Sequence, residues 1–141
     1  MEEKKLISLL QRTPIFAKTS EASLEAMLKS AVQKSVKAGT KLVEKGQSGV
    51  GFYLILEGEA EVSADGKKLA ELRLGDFFGE LSVIDGAPRT ADVVAKTDVT
   101  CLVITQWAMR SLISSHPEIA LSMLEELCKR LRATNKDLPH G

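Results

Sequence analysis

Excess charge of either sign is the first thing this sequence lacks. Its 141 residues carry 19 Lys and Arg against 19 Asp and Glu, a formal net charge of zero. Proteins that work by gripping nucleic acid usually carry a basic excess, so DNA or RNA is not expected as the main ligand. A locally basic site for one small anion remains compatible with that balance. Long apolar runs are also missing: none approaches the roughly 18 to 20 residues that span a bilayer. The N-terminal MEEKKLISLL is charged and then amphipathic, without the apolar core and small-residue cleavage site of a signal peptide. The expectation is therefore a cytoplasmic chain with no membrane segment.

Histidine and cysteine are scarce, with two of each. His116 and His140 are far apart and lack metal-ligand company, which argues against a zinc site. Cys101 and Cys128 sit in apolar settings with no CxxC, and both are expected to be buried thiols in a reducing compartment. What remains is ordinary globular material, 44% apolar and 27% charged, in a length suited to one domain.

The chain reads as helices, then strands, then helices. Leu6, Ile7, Leu9 and Leu10 form a helical stripe over residues 4–12, which Pro14 ends. Ser20, with Ser23 competing, is placed to cap a second helix over 21–31. From Val32 glycines punctuate short β-rich runs. Residues 52–56 (FYLIL) form an apolar strand, and 59–64 and 68–74 flank Asp65-Gly66, a strong hairpin signal. TADVVA and VTCLVIT continue the pattern, so a sandwich or barrel is expected. Helical spacing returns at Gln106, with Trp107 expected to anchor that helix on the strands. The helix ends near His116, and Pro117 suits the first turn of another that runs to about Thr134. The fold class is thus α+β: an antiparallel, jelly-roll-like β roll of about eight short strands, flanked by N-terminal helices and two C-terminal helices. One domain covers 1–141, with helices over about 2–31, the roll over about 32–104 and the closing helices over about 105–134.

One loop carries the chemistry, FFGELSVIDGAPRTADVVA, residues 77–95. Phe77 and Phe78 bury themselves. Gly79 lets the backbone take a conformation closed to other residues. ELSVID is long enough for only a turn or two of helix before Gly86. The free N–H groups at such a helix start suit an anion. Pro88 stiffens the return, and Arg89 offers a fork of donors suited to phosphate oxygens. Glu80 sits where the helix dipole favours its ionised form, ready to accept from hydroxyls. A sugar phosphate satisfies both side chains.

FGELSVIDGAPRTA resembles the phosphate-binding cassette of the cyclic nucleotide-binding domain family. Phe78, Gly79, Glu80, Pro88, Arg89, Thr90 and Ala91 match its pattern at the family spacing, and the wider resemblance covers roughly residues 5–134. Ser82 and Val83 stand where many members have alanine and leucine. The resemblance implies a cyclic-nucleotide sensor and not an enzyme, with cAMP, cGMP or both as ligand and no cofactor. It implies that Glu80 accepts from the ribose 2′-hydroxyl and that Arg89 pairs with the cyclic phosphate. Backbone amides around Gly79, Glu80 and Leu81 and near Thr90 and Ala91 would complete the cradle. Val62 and Phe77 are candidates for the apolar surroundings, joined by Leu81. A hydroxyl at Thr90 can bond the guanine of a syn nucleotide without excluding cAMP. The closing helix would supply a lid residue over the base, with Lys129, Arg130, Leu131 and Arg132 as candidates. Only a few residues follow that helix, so the expectation is a stand-alone sensor or an excised regulatory domain that acts through a protein effector. The competing reading is a ligand-independent interaction module on the same fold; it has no need of the Glu80 and Arg89 pair.

Overall fold

The computed structural model describes residues 2–47, 51–79 and 90–134. Two helices open the chain, α1 (Glu3–Gln11) and α2 (Glu21–Lys29). Leu6, Ile7 and Leu10 are the buried stripe of α1, at the spacing the sequence requires. Ser20 is the N-cap of α2, its Oγ accepting from the Ser23 backbone N–H at 3.2 Å. Eight strands follow: β1 (Val32–Val36), β2 (Lys41–Val43), β3 (Gly51–Glu57), β4 (Ala60–Ala64), β5 (Lys67–Leu72), β6 (Phe77–Phe78), β7 (Asp92–Ala95) and β8 (Val99–Thr105). Two further helices close the chain, α3 (Gln106–Ser115) and α4 (Pro117–Thr134). Thr105 caps α3, accepting from the Ala108 N–H at 3.1 Å.

The strands form two antiparallel four-stranded sheets, in the orders β1-β8-β3-β6 and β2-β7-β4-β5. The first sheet lies between the helices and the second sheet. This explains why residues 52–56 are all apolar and all buried: β3 is covered on both faces. Phe52, Leu54, Leu56, Leu102 and Ile104 face the helix-side core with Phe16, Leu24, Met109 and Ile119. Tyr53, Ile55, Val99 and Cys101 face the inter-sheet core with Leu42, Val93 and Ala95. The expected β4–β5 hairpin is present. Asp65 and Gly66 both have positive φ, 53° and 78°, as a two-residue turn of that hand demands.

Two expectations fail. Trp107 does not anchor its helix on the roll; it is 85% exposed. It stands at the first turn of α3, and that helix is instead held by Met109 and Leu112. Cys101 is buried as expected, whereas Cys128 is exposed, because Ile119 and Met123 give α4 its buried face. The ends of α2 and of the β4 and β5 strands differ from the sequence reading by one or two residues.

Candidate functional site

The loop singled out by sequence leaves the first sheet at β6 and re-enters the second at β7. Its entrance is set by two rings on opposite faces of the first sheet. Phe78 stacks on Tyr53 with centroids 4.7 Å apart, and packs in the inter-sheet core. Phe77 stacks on Phe52 at 5.4 Å and packs in the helix-side core. Alternate residues of a strand point to opposite faces, so adjacent phenylalanines pin the loop entrance to both cores at once. Gly79 follows with φ of 88°, the left-handed region where a side chain is strained. That turn ends β6.

Glu80, Leu81 and Arg89 lie outside the described residues, so the expected carboxylate, one amide and the guanidinium of the cradle carry no geometry here. The other end of the loop is described. Thr90 is exposed and Ala91 is half-buried. Asp92 then anchors the return: its Oδ1 accepts from the Lys45 backbone N–H at 2.7 Å, and its Oδ2 is 3.7 Å from Lys41 Nζ. Val62, opposite Val93 on β4, is half-buried against the inter-sheet core. Val62 and Phe77 therefore belong to different apolar clusters rather than to one.

Among the four lid candidates the structure separates one. Arg130 is half-buried on α4 and its guanidinium lies 4.0 Å from the centroid of the Phe77 ring. Its Nε is 3.9 Å from Glu126 Oε1, one turn earlier. Lys129, Leu131 and Arg132 are all exposed. A guanidinium held over an aromatic face gains about 0.5–2 kcal/mol, more as water is excluded. The closing helix thus reaches back to the ring that starts the cassette, two residues before Gly79.

Sequence reasoning missed a polar junction at the start of α4. Ser23 of α2 is 1% exposed. Its Oγ donates to the Glu118 carboxylate, lies 3.0 Å from His116 Nδ1 and lies 2.9 Å from Ser20 Oγ. His116 is the residue between α3 and α4 and Glu118 is in the first turn of α4. The hydrogen bond from Ser23 holds the Glu118 carboxyl below the usual range, aided by a backbone N–H and by His116. On sequence, His116 is dismissed as a metal ligand and only marks a helix end; the serine pair at 20 and 23 was the available signal.

Residues 33–116 match the family described as the Cyclic nucleotide-binding domain. The chain is 31% identical over 135 residues to a CRP-like cAMP-activated global transcriptional regulator of Mycobacterium tuberculosis, covering 92% of this chain and 60% of that protein. It is 34% identical over 122 residues to a cyclic nucleotide-gated potassium channel of Rhizobium etli, covering 86% of this chain and 34% of the channel. The chain therefore spans less than two thirds of the length of these relatives. Among solved structures, the Thermus thermophilus catabolite activator protein superposes with a TM-score of 0.81 at 26% identity, over 89% of this chain and 62% of that one. A cAMP-bound Toxoplasma gondii kinase regulatory domain shares the fold at a TM-score of 0.74 and 22% identity, over 87% of this chain and 49% of that one. Cassette sequence, two-sheet roll and closing helices agree with these matches, and the chain belongs to the cyclic nucleotide-binding domain family.

Proposed function

We propose that the chain senses cAMP, with Glu80 accepting from the ribose 2′-hydroxyl and Arg89 pairing with the cyclic phosphate. Backbone N–H groups at Gly79 to Leu81 and at Thr90 and Ala91 complete the anion cradle. The observation that carries the reading is Arg130 over Phe77. It supports a lid on α4 that touches the strand feeding the cassette. A ligand in the cassette then shifts α3 and α4 only by binding one of their positions better than another. The relatives' own descriptions favour cAMP: one is cAMP-activated and one structural neighbour was solved with cAMP. Thr90 leaves cGMP as a second ligand. The output goes to a protein effector, and Leu121, Leu124 and Leu131, each more than half exposed along α4, supply an apolar face for it.

The test is calorimetric titration with cAMP and with cGMP, after carried-over ligand has been stripped by unfolding and refolding. One-to-one saturation with cAMP is expected. Arg89→Ala is expected to weaken it at least about tenfold, since a hydrogen bond to a charged group is worth ~1.5–3 kcal/mol. Folded protein that binds neither nucleotide would favour the interaction-module reading.

A further inference from the structure

The junction of Ser20, Ser23, His116 and Glu118 joins α2 to the bend between α3 and α4. Proton accounting gives one arrangement that uses every contact of Ser23. An ionised carboxylate has no proton to give, so the single Ser23 hydroxyl proton is committed to Glu118. Ser23 Oγ can then only accept from its other two partners. Ser20 Oγ, 2.9 Å from Ser23 Oγ and 3.4 Å from Glu118 Oε1, supplies one proton to the nearer oxygen. His116 Nδ1, 3.0 Å away, supplies the other in the tautomer that carries its hydrogen on Nδ1. Every lone pair and proton of the buried hydroxyl is thereby used. A network filled this way favours one arrangement of the elements it joins.

Those elements lead directly to the lid. His116 ends α3, its backbone N–H donating to the Leu112 carbonyl at 2.7 Å, and its own carbonyl accepts from the Ile119 N–H at 3.0 Å. One residue therefore closes one helix and opens the next. Glu118 belongs to the first turn of α4, whose thirteenth and fourteenth positions are Lys129 and Arg130. Below the junction Leu24 and Met27 of α2 pack with Met109, Leu112, Ile119 and Met123. Beside it runs a groove of about 510 Å³, where Glu25, Lys29, Trp107, Ser111 and Ser115 line the same wall as His116.

We infer that Ser23, His116 and Glu118 are positioning residues: a latch by which α2 sets the α3–α4 bend and so holds Arg130 over Phe77. All three lie outside the cassette, on α2 and at the α3–α4 bend. The inference rests on the cyclic-nucleotide reading for its effect on affinity, but not for its effect on the bend. Releasing the latch populates α4 positions with the lid away from the cassette, and affinity falls by the fraction of molecules so displaced.

The chain carries its own reporters for both effects. Trp107 on α3 is the only tryptophan, and Cys128 on α4 is the exposed thiol while Cys101 is buried. A dansyl group on Cys128 reads the α3–α4 bend by energy transfer from Trp107. Ser23→Ala and His116→Ala are each expected to change that transfer without ligand, and to weaken cAMP binding about five- to tenfold. The double variant is expected to do no more than either single one, because both break the same latch. His116→Asn, whose amide N–H can stand in for Nδ1–H, is expected to restore both readouts. Wild-type transfer in Ser23→Ala and His116→Ala, additive losses, or failure of His116→Asn to rescue would overturn the latch. If the unaltered protein binds no cAMP, the functional reading fails, and the transfer measurements decide the latch alone.

Discussion

Arg130 is the residue whose role the structure changes most. In the sequence it is one of four basic or aliphatic side chains on a helix end; in the fold it alone of the four meets Phe77. Arg130→Ala is expected to weaken cAMP binding several-fold, and Arg130→Lys less, since an ammonium keeps the charge but not the flat stacking surface. Calorimetry checks both, and wild-type affinity in Arg130→Ala would remove this residue from the lid. Thr90 makes a second residue-scale prediction. Its exposed position at the loop exit suits a hydroxyl that meets the base, so Thr90→Ala is expected to reduce cGMP affinity more than cAMP affinity. Equal losses would assign Thr90 to the phosphate or to the strand. Glu71 tests electrostatics away from the site. Hydrogen bonds from Lys68 at 2.6 Å and Lys96 at 2.7 Å lower its pKa to about 2. A carboxyl depressed by folding stabilises the fold above its unfolded value and loses that contribution as pH falls through its folded value. The stability difference between wild type and Glu71→Gln should therefore be full at neutral pH and shrink between the ordinary carboxylate range and about pH 2. Denaturant midpoints across that range would reveal it, and high salt should reduce it, as the partners are exposed.

Elements meet at turns whose geometry leaves little freedom. Gly58, between β3 and β4, has φ of 86°, and a Cβ there would collide with the Asp98 carbonyl and the Thr97 hydroxyl. The neighbouring Glu59 N–H donates to that same hydroxyl at 3.0 Å. The turn after β3 is thus docked against the turn between β7 and β8. Gly58→Ala is expected to cost about 1–3 kcal/mol, read as a lower urea midpoint with the β signature retained. A neutral result would mean that the two turns can separate. The β5–β6 turn is tied down in a different way: Gly75 N–H donates to the Ile55 carbonyl and Ile55 N–H to the Asp76 carbonyl, both at 2.9 Å. These bonds hold the two-residue strand β6 against β3, in register Tyr53 with Phe78 and Leu54 with Phe77. The cassette therefore starts from a fixed point despite the shortness of its strand.

Across the whole molecule, the first sheet separates two cores. Phe77 shares the helix-side core with α2, α3 and α4, and Phe78 shares the inter-sheet core with β7, where the loop returns. A ligand held between β6 and β7 has both cores within one or two residues. If it binds only the native state, cAMP at a hundredfold excess over its Kd should add about 2.7 kcal/mol of stability. For a domain of this size that is a rise in Tm of roughly 5–10 °C. Arg89→Ala at the same cAMP concentration should lose about half of the rise or more for a tenfold or greater loss of affinity, and thermal denaturation with and without nucleotide measures it.

Much of this was legible in the sequence because it depends on neighbours along the chain. The Leu6, Ile7 and Leu10 stripe, the Ser20 cap, the Asp65-Gly66 hairpin and Pro117 at a helix start are short-range facts of periodicity and dihedral preference, and the structure has each where the residues put it. The cassette motif, likewise contiguous, sufficed for the family. Burial of single side chains was decided otherwise. Trp107 and Cys128 have apolar character but lie on helix faces that point outward once Met109, Ile119 and Met123 take the inward places. Long-range pairing was decided by the fold alone. Ser23 and His116 are 93 residues apart, and no local pattern says that a serine in the first turn of α2 and the residue at the α3–α4 bend will share a hydrogen bond. Arg130 meets Phe77 across 53 positions for the same reason: turns and periods are set by adjacent residues, whereas contacts between distant ones exist only after two sheets and four helices have packed.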